Sequence, residues 1–420
     1  MNYPRPTSNR VLTIVLTVCL SASALFATEP FLKSSKSLKW RSSEIKVSIS
    51  RSLSDQSPNI KGDISEAITN SLDSWRRVSP ISFVVSDSES LNVSLSGLRG
   101  DGVSLITNAA TAENVRLFPK QTESPPATTR IFYDQRGFIT EADLALNPFV
   151  QFSTDGTFGT YDLQSTITHE IGHLLGLEHS TLLGSSMFER AGRNGSTGFA
   201  GRGLSRDDIA AVRSIYGTTL DDLTCCGSIS GKIGGSNPKL SYAADVWIED
   251  AVSGQVVASK RTSRDGVFNI LGVPEGNYRV FAQSLDTNKG FAVQIAKVRT
   301  EIDEDTPVQG SLKTQSAPNI ELLGLNGQLS NLPIQLVAGQ TTRIYVGGKG
   351  LNAGDLVVGI QGPFFESVRG SQIAMDYGIG LNVLSAEIQV SPDTPSGEYS
   401  IYVADGKGSR RYLIGAVTLD

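Results

Sequence analysis

The sequence predicts a multidomain protein in which an α+β domain is followed by two all-β sandwich domains. The chain of 420 residues exceeds what one ordinary hydrophobic core holds, which favours two or three domains. Helical spacing of apolar residues is found almost only before Gly217, and short alternating runs broken by Gly, Asn and Asp follow it. We therefore place the domains at 38–217, 227–314 and 317–420, with a linker at 218–226.

Three helices are predicted in the first domain. The first has one buried face, formed by Ile60, Ile64, Ile68, Leu72 and Trp75. The second lies in "DLQSTITHEIGHLLGL" and stops near Gly176. The third lies in "LSRDDIAAVRSIYG", where Ser205 and Asp208 form a capping box and Gly217 closes the end.

Short alternating runs predict the strands. In the first domain these are "IKVSIS", "ISFVVS" and a hairpin in "TTRIFYDQRGFITEADLAL" that turns at Gln135–Gly137. In the second domain they include "AADVWIED", "QVVASKRT", "GVFNIL" and "YRVFAQ". In the third they include "LPIQLVAG", "TRIYVGG", "AEIQVSP" and "YSIYVAD". Frequent turns between such runs are typical of β-sandwiches.

Residues 1–27 have the pattern of a secretory signal peptide. Arg5 and Arg10 precede the apolar run "VLTIVLTVCLSASALFA", which ends in small residues, so cleavage is expected after Ala24 or Ala27. A membrane anchor that is not cleaved is the alternative. No later run is long enough to span a bilayer. The protein is therefore predicted to be secreted, with association at a cell surface as a variant of that prediction.

The charge of the chain bears on its binding partners, and its cysteine content bears on whether disulfides stabilise it. The formal net charge is −5 and the chain has no basic block, which argues against a nucleic-acid partner. Once the signal peptide is removed, only Cys225 and Cys226 remain. Adjacent cysteines close only a strained ring, so free, vicinally bonded and intermolecular states all stay open.

All three histidines of the chain fall in "HEIGHLLGLEH", at His169, His173 and His179. The first two are four residues apart on a helix and therefore project from one side. Gly176 lets the chain stop and turn, because glycine enters left-handed backbone without strain. The third histidine can then return toward the other two. Chance clustering, or a core in which the histidines are satisfied, is the alternative.

Three neutral imidazoles suit a zinc ion and leave a fourth position for water. Zinc lowers the pKa of such a water toward about 7 and polarises the carbonyl of a bound amide. Glu170 can then take the proton of the water and pass it to the leaving amine, as general base and then general acid. The predicted reaction is peptide-bond hydrolysis.

Residues 38–217 resemble the matrixin branch of the metzincin zinc peptidases. The resemblance lies in "HEIGHLLGLEHS", in Met187 eight residues beyond the third histidine, in "LDSWRRVSPISF" and in "LSRDDIAAVRSIYG". It implies a twisted mixed sheet with three helices. It also implies His169, His173 and His179 as zinc ligands, Glu170 as the base, and Met187 as a hydrophobic floor under the metal, although Met187 as simple core filler is the alternative.

The resemblance also implies how a protein or peptide substrate binds. The strand near "GFITEADLAL" would pair with an extended substrate, and the segment that begins "FERAGR" would wall the pocket for the residue after the scissile bond. Asp207 and Asp208 either tether that segment to the last helix or only cap the helix. Calcium is common in the family, and a loop such as "STDGTFGTYD" could bind it, although a solvated loop is the simpler interpretation.

The chain departs from the family pattern in three respects. No histidine is left to build a second, structural zinc site. The short stretch between the signal peptide and Leu38 holds no cysteine, so inhibition by a propeptide cysteine is not expected. The Pro-x-Tyr that usually follows the Met-turn is missing, because Met187 leads into Phe188, which puts oxyanion stabilisation by a tyrosine in doubt.

The remaining chain resembles modules of other secreted proteins. "GSISGKI", "AADVWIEDAVSGQVV" and "TSRDGVFNILGVPEGNYRVFAQ" are similar to the carboxypeptidase regulatory-like β-sandwich, and residues 317–420 resemble an immunoglobulin-like module. Such folds indicate little about function. They would bind surface or matrix components, or act as rigid spacers.

The leading hypothesis is a secreted zinc-dependent endopeptidase that acts on proteins or peptides. A second is a cell-surface or matrix adhesion protein whose peptidase domain is weakly active or inactive. Glu170 favours the enzyme, because a purely structural zinc site has no need of it. A third hypothesis, hydrolysis of an amide that is not a peptide, uses the same ligands.

Overall fold

The structure is a computed structural model, and it describes most of the chain. The described residues are 24–25, 37–54, 57–95, 99–195, 201–219, 225–235, 244–285, 290–313, 315–325, 327–351, 354–377 and 380–419. Apart from the backbone of 24–25, the predicted signal peptide lies outside these residues. Among the helices described, none has the length and apolar character needed to cross a bilayer.

The N-terminal region, residues 39–217, combines helices with a mixed sheet. Its strands are β2 Lys39–Trp40, β3 Glu44–Ser50, β4 Ile60–Lys61, β5 Ser82–Ser88, β6 Leu105–Thr107, β7 Ala127–Tyr133, β8 Phe138–Leu146, β9 Phe152–Ser153, β10 Tyr161–Asp162 and β11 Arg190–Ala191. Its α-helices are α1 Ile64–Arg76, α2 Leu163–Leu174 and α3 Arg206–Tyr216, and short 3-10 helices cover Asn114–Leu117 and Gln121–Glu123. Strand β1, Ala24–Leu25, pairs antiparallel with β11.

The three predicted helices are confirmed, with one correction at the start of α1. Ile60 is not on the helix but in β4, which pairs with β9. The helix begins after Asp63. The carboxylate of Asp63 accepts a hydrogen bond from Glu66 N, one of the amides that the start of a helix leaves without a partner. The predicted capping box of α3 is present between Ser205 and Asp208.

The main sheet has the order β2–β8–β6–β3–β5, with β7 added on the other side of β8. Strand β3 pairs in parallel with β5 and β6, whereas β7 pairs antiparallel with β8. Helices α1 and α2 share the core of this region. The indole of Trp75 is fully buried on α1, and its Nε1 donates to Thr168 O on α2 at 2.9 Å. This bond fixes α2, the helix that carries the first two histidines, against α1.

The expectation that the strand in "GFITEADLAL" pairs with substrate is wrong. That strand is β8, which has β7 on one side and both β2 and β6 on the other, so its backbone is already paired. Its last six residues are all buried, as in an interior strand. In the part of the chain that the structure describes, β7 pairs with β8 alone and is the edge next to α2. A hairpin in sequence does not reveal which of its strands takes the inner position.

The described residues of the first β region, 225–312, form seven strands. They are β12 Cys225–Gly235, β13 Ala244–Asp250, β14 Val256–Arg261, β15 Val267–Pro274, β16 Gly276–Ser284, β17 Val293–Thr300 and β18 Asp305–Leu312. Sheets β15–β12–β18 and β14–β13–β16–β17 share one hydrophobic core. Cys225 and Cys226 are joined by a disulfide, one of the three states that the sequence left open, and β12 begins with them inside the predicted linker.

The described residues of the second β region, 322–419, form ten strands. They are β19 Leu322–Leu325, β20 Gln328–Ser330, β21 Ile334–Leu336, β22 Thr341–Gly348, β23 Val357–Ile360, β24 Phe365–Ser367, β25 Ile373–Asp376, β26 Asn382–Val390, β27 Gly397–Ala404 and β28 Arg410–Leu419. Sheet β20–β19–β22–β26–β24, with β25 on β26, shares a core with sheet β21–β28–β27–β23. The described chain thus has three α-helices, all before Gly217, followed by a β-rich remainder. The sandwich classes of the two β regions stay predictions.

Candidate metal centre

Helix α2 is fixed at both ends. At its start Asp162 accepts from Ser165 N at 2.8 Å and forms an ion pair with Arg202, with 2.6 Å between Oδ2 and Nη2. At its end, the carbonyl of Leu174 accepts from the indole of Trp40 at 2.8 Å. The carbonyl of Leu175 accepts from the hydroxyl of Tyr216, also at 2.8 Å. The carbonyls that a helix end leaves unsatisfied are therefore bonded by side chains from β2 and α3.

Gly176 turns the chain back after α2, as predicted. Its φ is +90°, a conformation that glycine adopts without strain. A Cβ built on this residue would lie only 2.3 Å from Leu38 O, so the backbone of the N-terminal segment also requires glycine here. Past this turn, Leu177 N donates to Gly172 O at 3.0 Å. The third histidine follows two residues later and returns to the helix.

The three histidines predicted as ligands lie together. Their ring centroids are 4.7 Å apart for His169 and His173, 5.3 Å for His169 and His179, and 4.9 Å for His173 and His179. One potential ligand atom from each lies within 4.8 Å of the others. Of the described residues, these three are the group of this kind that could hold a metal ion.

Main-chain carbonyls fix two of the rings. His169 Nδ1 lies 2.6 Å from Ser186 O and His173 Nδ1 lies 2.9 Å from Leu177 O, so each Nδ1 carries the proton and Nε2 the lone pair. Burial lowers the pKa of His169 well below its ordinary value, that of His173 to about 3 and that of His179 to about 4. The rings are therefore neutral near pH 7. Neutral imidazoles held through Nδ1 are the donor set that zinc prefers, so the residues fit this metal.

Glu170 is buried beside the histidines. Its Oε2 accepts from Thr129 Oγ1 on β7 at 2.5 Å, and its Oε1 has no hydrogen-bond partner among the described residues. Burial raises the pKa of Glu170 to about 8, and the bond from Thr129 opposes this shift. No sequence pattern indicated a role for Thr129, because it lies on a strand far from the motif along the chain. One carboxylate oxygen is therefore anchored while the other remains available.

Met187 packs under α2, where the Met-turn was expected. Its side chain is buried, and a Cβ built on Gly172 would lie 2.2 Å from its Sδ. The glycine inside the motif therefore makes room for the methionine. Ser180 N donates to Met187 O at 2.8 Å, which joins the residue after the third histidine to this turn.

Asp208 caps α3, and it also binds the turn at 185–187 rather than the segment after Met187 that it was predicted to tether. Besides Ser205, it accepts from Ser185 Oγ at 2.5 Å, Ser186 N at 2.9 Å and Met187 N at 3.2 Å. Asp207 is a tether. It accepts from Ser180 Oγ at 2.5 Å and from the amide of Ser259 in the first β region.

The first β region borders the third histidine on both sides. Lys260 Nζ lies 3.1 Å from a carboxylate oxygen of Glu178, the residue before His179. Asp207 accepts hydrogen bonds from both Ser259 and Ser180, the residue after His179, and so links β14 to this loop. Strand β14 therefore supports the loop that presents the third ring. Sequence reasoning missed this contact, because nothing in the composition of β14 points to the histidine motif.

A cavity adjoins His169, and the segment from Phe188 lines it, as expected of a pocket wall. Arg190 and Gly192 line it as well, and so does Asn331–Pro333 from the second β region. The contribution of the second β region to this cavity was not predicted, because no pattern in the sequence relates residues 331–333 to the histidine motif.

The loop considered for calcium has its carboxylates engaged by cations. Asp155 Oδ2 lies 2.7 Å from Lys61 Nζ, and hydrogen bonds from Lys61 and Thr157 hold the pKa of Asp155 below its ordinary value. Asp162 pairs with Arg202. A calcium site in this loop stays a prediction.

Residues 39–217 match the family model described as Matrixin. The chain is 25% identical over 199 residues to the interstitial collagenase of Oryctolagus cuniculus, which covers 46% of this chain and 36% of that protein. It is 26% identical over 185 residues to Metalloendoproteinase 5-MMP of Arabidopsis thaliana, which covers 43% of this chain and 44% of that protein. It is 37% identical over 67 residues to matrilysin of Mus musculus, which covers 16% of this chain and 24% of that protein.

The chain thus spans well under half the length of the curated relatives it matches. Among solved structures, the major pilin subunit BcpA of Bacillus cereus is 16% identical, covers 44% of this chain and 66% of that chain, and gives a TM-score of 0.18. This value is too low to support an argument about the fold. The matrixin family implies zinc, and a group of three histidines that could bind a metal lies within the matched residues. Residues 39–217 are therefore a matrixin domain.

Proposed function

We propose that the protein is a secreted zinc-dependent endopeptidase that hydrolyses peptide bonds of proteins. The observation that carries the proposal is the arrangement at α2. Three neutral rings converge there, and Glu170 has one carboxylate oxygen anchored by Thr129 and the other without a hydrogen-bond partner among the described residues. A structural metal site needs the three rings, but it does not need this carboxylate.

In this proposal His169, His173 and His179 hold one zinc ion. When bound, zinc supplies Lewis acidity that activates a water and polarises a carbonyl. Glu170 takes the proton of the attacking water and delivers it to the leaving amine. Burial raises the pKa of Glu170 to about 8 despite the bond from Thr129, and a cation held beside it would favour its charged form, which is the form a general base needs. Met187 and Gly176 keep the rings and the turn in place.

The substrate is an extended segment of a protein. Edge strand β7, which lies against α2 and supplies Thr129, is the strand that such a segment would extend by main-chain pairing. We infer that residues 38–217 are the peptidase domain and that 227–314 and 317–420 are two β-sandwich domains. Their predicted capacity to bind surface or matrix components, and the signal peptide at 1–27, belong to the same proposal.

The test compares the purified chain with Glu170→Gln. The chain should carry about one zinc by elemental analysis and should cleave denatured casein. The variant should keep its zinc and lose cleavage by roughly 10²–10⁴-fold, because only the proton transfer is removed. Glu44→Gln, at an exposed position of β3, is the matched control and should behave as the parent.

Cleavage that survives in Glu170→Gln would remove the proposed role of this residue. A chain that binds zinc but cleaves no protein would instead support the adhesion hypothesis.

A further inference from the structure

The cavity beside His169 is built by two regions of the molecule. Phe188 and Gly192 line it from the N-terminal region, and Asn331, Leu332 and Pro333 line it from the second β region. In the proposed peptidase this cavity adjoins the first metal ligand. It is therefore the place where a side chain next to the scissile bond would enter.

Leu332 lies directly on the wall of the N-terminal region. A Cβ built on Gly192 would be 2.0 Å from Leu332 Cδ2 and 2.3 Å from its Cδ1, so only glycine leaves room for this contact. Leu332 itself is 9% exposed. Because its branched end fills space at the edge of the cavity, the size of this one side chain limits the size of the cavity.

The second β region is fixed against the cleft by its last strand. Leu183 N donates to Ile414 O and Gly184 N donates to Gly415 O, both at 2.9 Å. Leu183 also lines the cavity. Two consecutive amides just before the Met-turn therefore donate to main-chain carbonyls of β28.

The same strand holds the segment that carries Leu332. Strand β21 begins at Ile334, one residue after Pro333, and pairs in parallel with β28 through Ile334 and Val417. Residues 414–415 of β28 thus bind the segment at 183–184, and residues 417–419 of the same strand pair with β21, which follows directly on 331–333. The position of Leu332 therefore depends on bonds between the N-terminal region and the second β region.

An apolar contact between the two regions adds to these bonds. Leu182 is fully buried in a cluster with Tyr412 and Ile414 from the second β region and with Trp247 and Phe281 from the first. Movement of the second β region away from the cleft would expose this cluster to water, which disfavours it.

We propose that Leu332 is a specificity-determining residue of the peptidase, which sets the size of the substrate side chain accepted after the scissile bond. The inference rests on the proposed function. Polar residues such as Ser165 and Thr166 share the lining of the cavity with the apolar Leu183, Phe188, Leu332 and Pro333. The apolar part suits an aliphatic side chain, and the contact of Leu332 with Gly192 leaves little room for larger aromatic ones.

The experiment profiles cleavage of a peptide library whose members differ only at the residue after the scissile bond. The full chain should prefer aliphatic residues there. Leu332→Ala should raise cleavage at Phe and Trp relative to Leu by about tenfold or more, because each methylene of pocket space is worth roughly 10–200-fold in discrimination. Leu332→Phe should shift preference the other way, toward Ala and Val. Leu322→Ala, at a half-buried leucine of β19 away from the cavity, should leave the profile unchanged.

A second readout does not depend on turnover. Fluorescence anisotropy in the Glu170→Gln background measures binding of two labelled library peptides, one with Leu and one with Trp at the varied position. Leu332→Ala should shift their affinity ratio toward Trp in parallel with cleavage, with zinc content unchanged. If Leu332→Ala does not fold, Leu332→Val should show a smaller shift in the same direction.

Cleavage with the same profile in all folded Leu332 variants would overturn this inference and leave the proposed function intact. Absence of cleavage by the parent chain would instead overturn the proposed function. The anisotropy ratio would then decide whether Leu332 still selects the bound side chain, and an unchanged ratio would overturn the inference as well.

Discussion

The two sides of the cleft are held in different ways. On the histidine side, the rings, Glu170 and Met187 follow one another along the chain, and their supporting bonds to Leu177 O and Ser186 O lie within the same stretch. On the other side, the wall of the cavity is formed where Gly192 contacts Leu332. This contact depends on the bonds that hold β28, and with it the second β region, against the N-terminal region. The chemistry is thus set mainly within one region, whereas the proposed selectivity is assembled from two.

Asp208 holds the turn that carries Met187 against α3, and its removal should have the largest effect on stability. Its buried carboxylate accepts from Ser185, Ser186, Met187 and Ser205, so Asp208→Ala leaves several buried donors without an acceptor. We expect a loss of about 3 kcal/mol in the free energy of unfolding, measured by urea denaturation. The affinity for zinc should decrease, and cleavage should become less selective for the substrate residue after the scissile bond.

The control is Asp87→Ala, at an exposed position of β5, which should change stability by no more than about 0.5 kcal/mol. If Asp208→Ala left zinc affinity intact, the histidine side would not depend on the turn that this carboxylate holds.

A smaller effect is expected at the contact between α3 and the second β region. Glu398 lies on β27 with its Oε2 3.5 Å from Arg206 N. Burial, and then the charge of Asp208, raises its pKa to about 7. Because the folded pKa is raised above that of the unfolded chain, this group contributes stability at low pH that is lost as the pH rises through about 7.

Glu398→Gln stays neutral at every pH and should avoid that loss. By calorimetry, it should melt roughly 2–4 °C above the parent at pH 8 and close to the parent at pH 5. Glu366→Gln, at an exposed position of β24, should match the parent at both pH values. An equal difference at both pH values would mean that titration of Glu398 is not the cause.

The histidine side was predictable because its residues are neighbours in sequence. Spacing alone placed His169 and His173 on one helix face, and Gly176 takes the left-handed conformation predicted for it. The capping box at Ser205 and Asp208 was likewise readable, because both partners lie within one helical turn.

The remaining contacts depend on which strands and regions meet in three dimensions. Thr129 reaches Glu170 only because β7 is the edge strand, and the hairpin pattern does not reveal which strand is at the edge. Ser259 and Leu332 reach the site through packing of regions that the sequence treats as separate modules. Patterns of local periodicity carry no information about such packing.

The central claim is that one zinc ion is held by His169, His173 and His179. Anomalous X-ray scattering at the zinc edge, from crystals of the purified full chain, tests it most directly. We expect one peak at about 2.0–2.1 Å from the Nε2 atom of each ring. A peak at another site, or ligation through Nδ1 with the bonds to Ser186 O and Leu177 O broken, would contradict it.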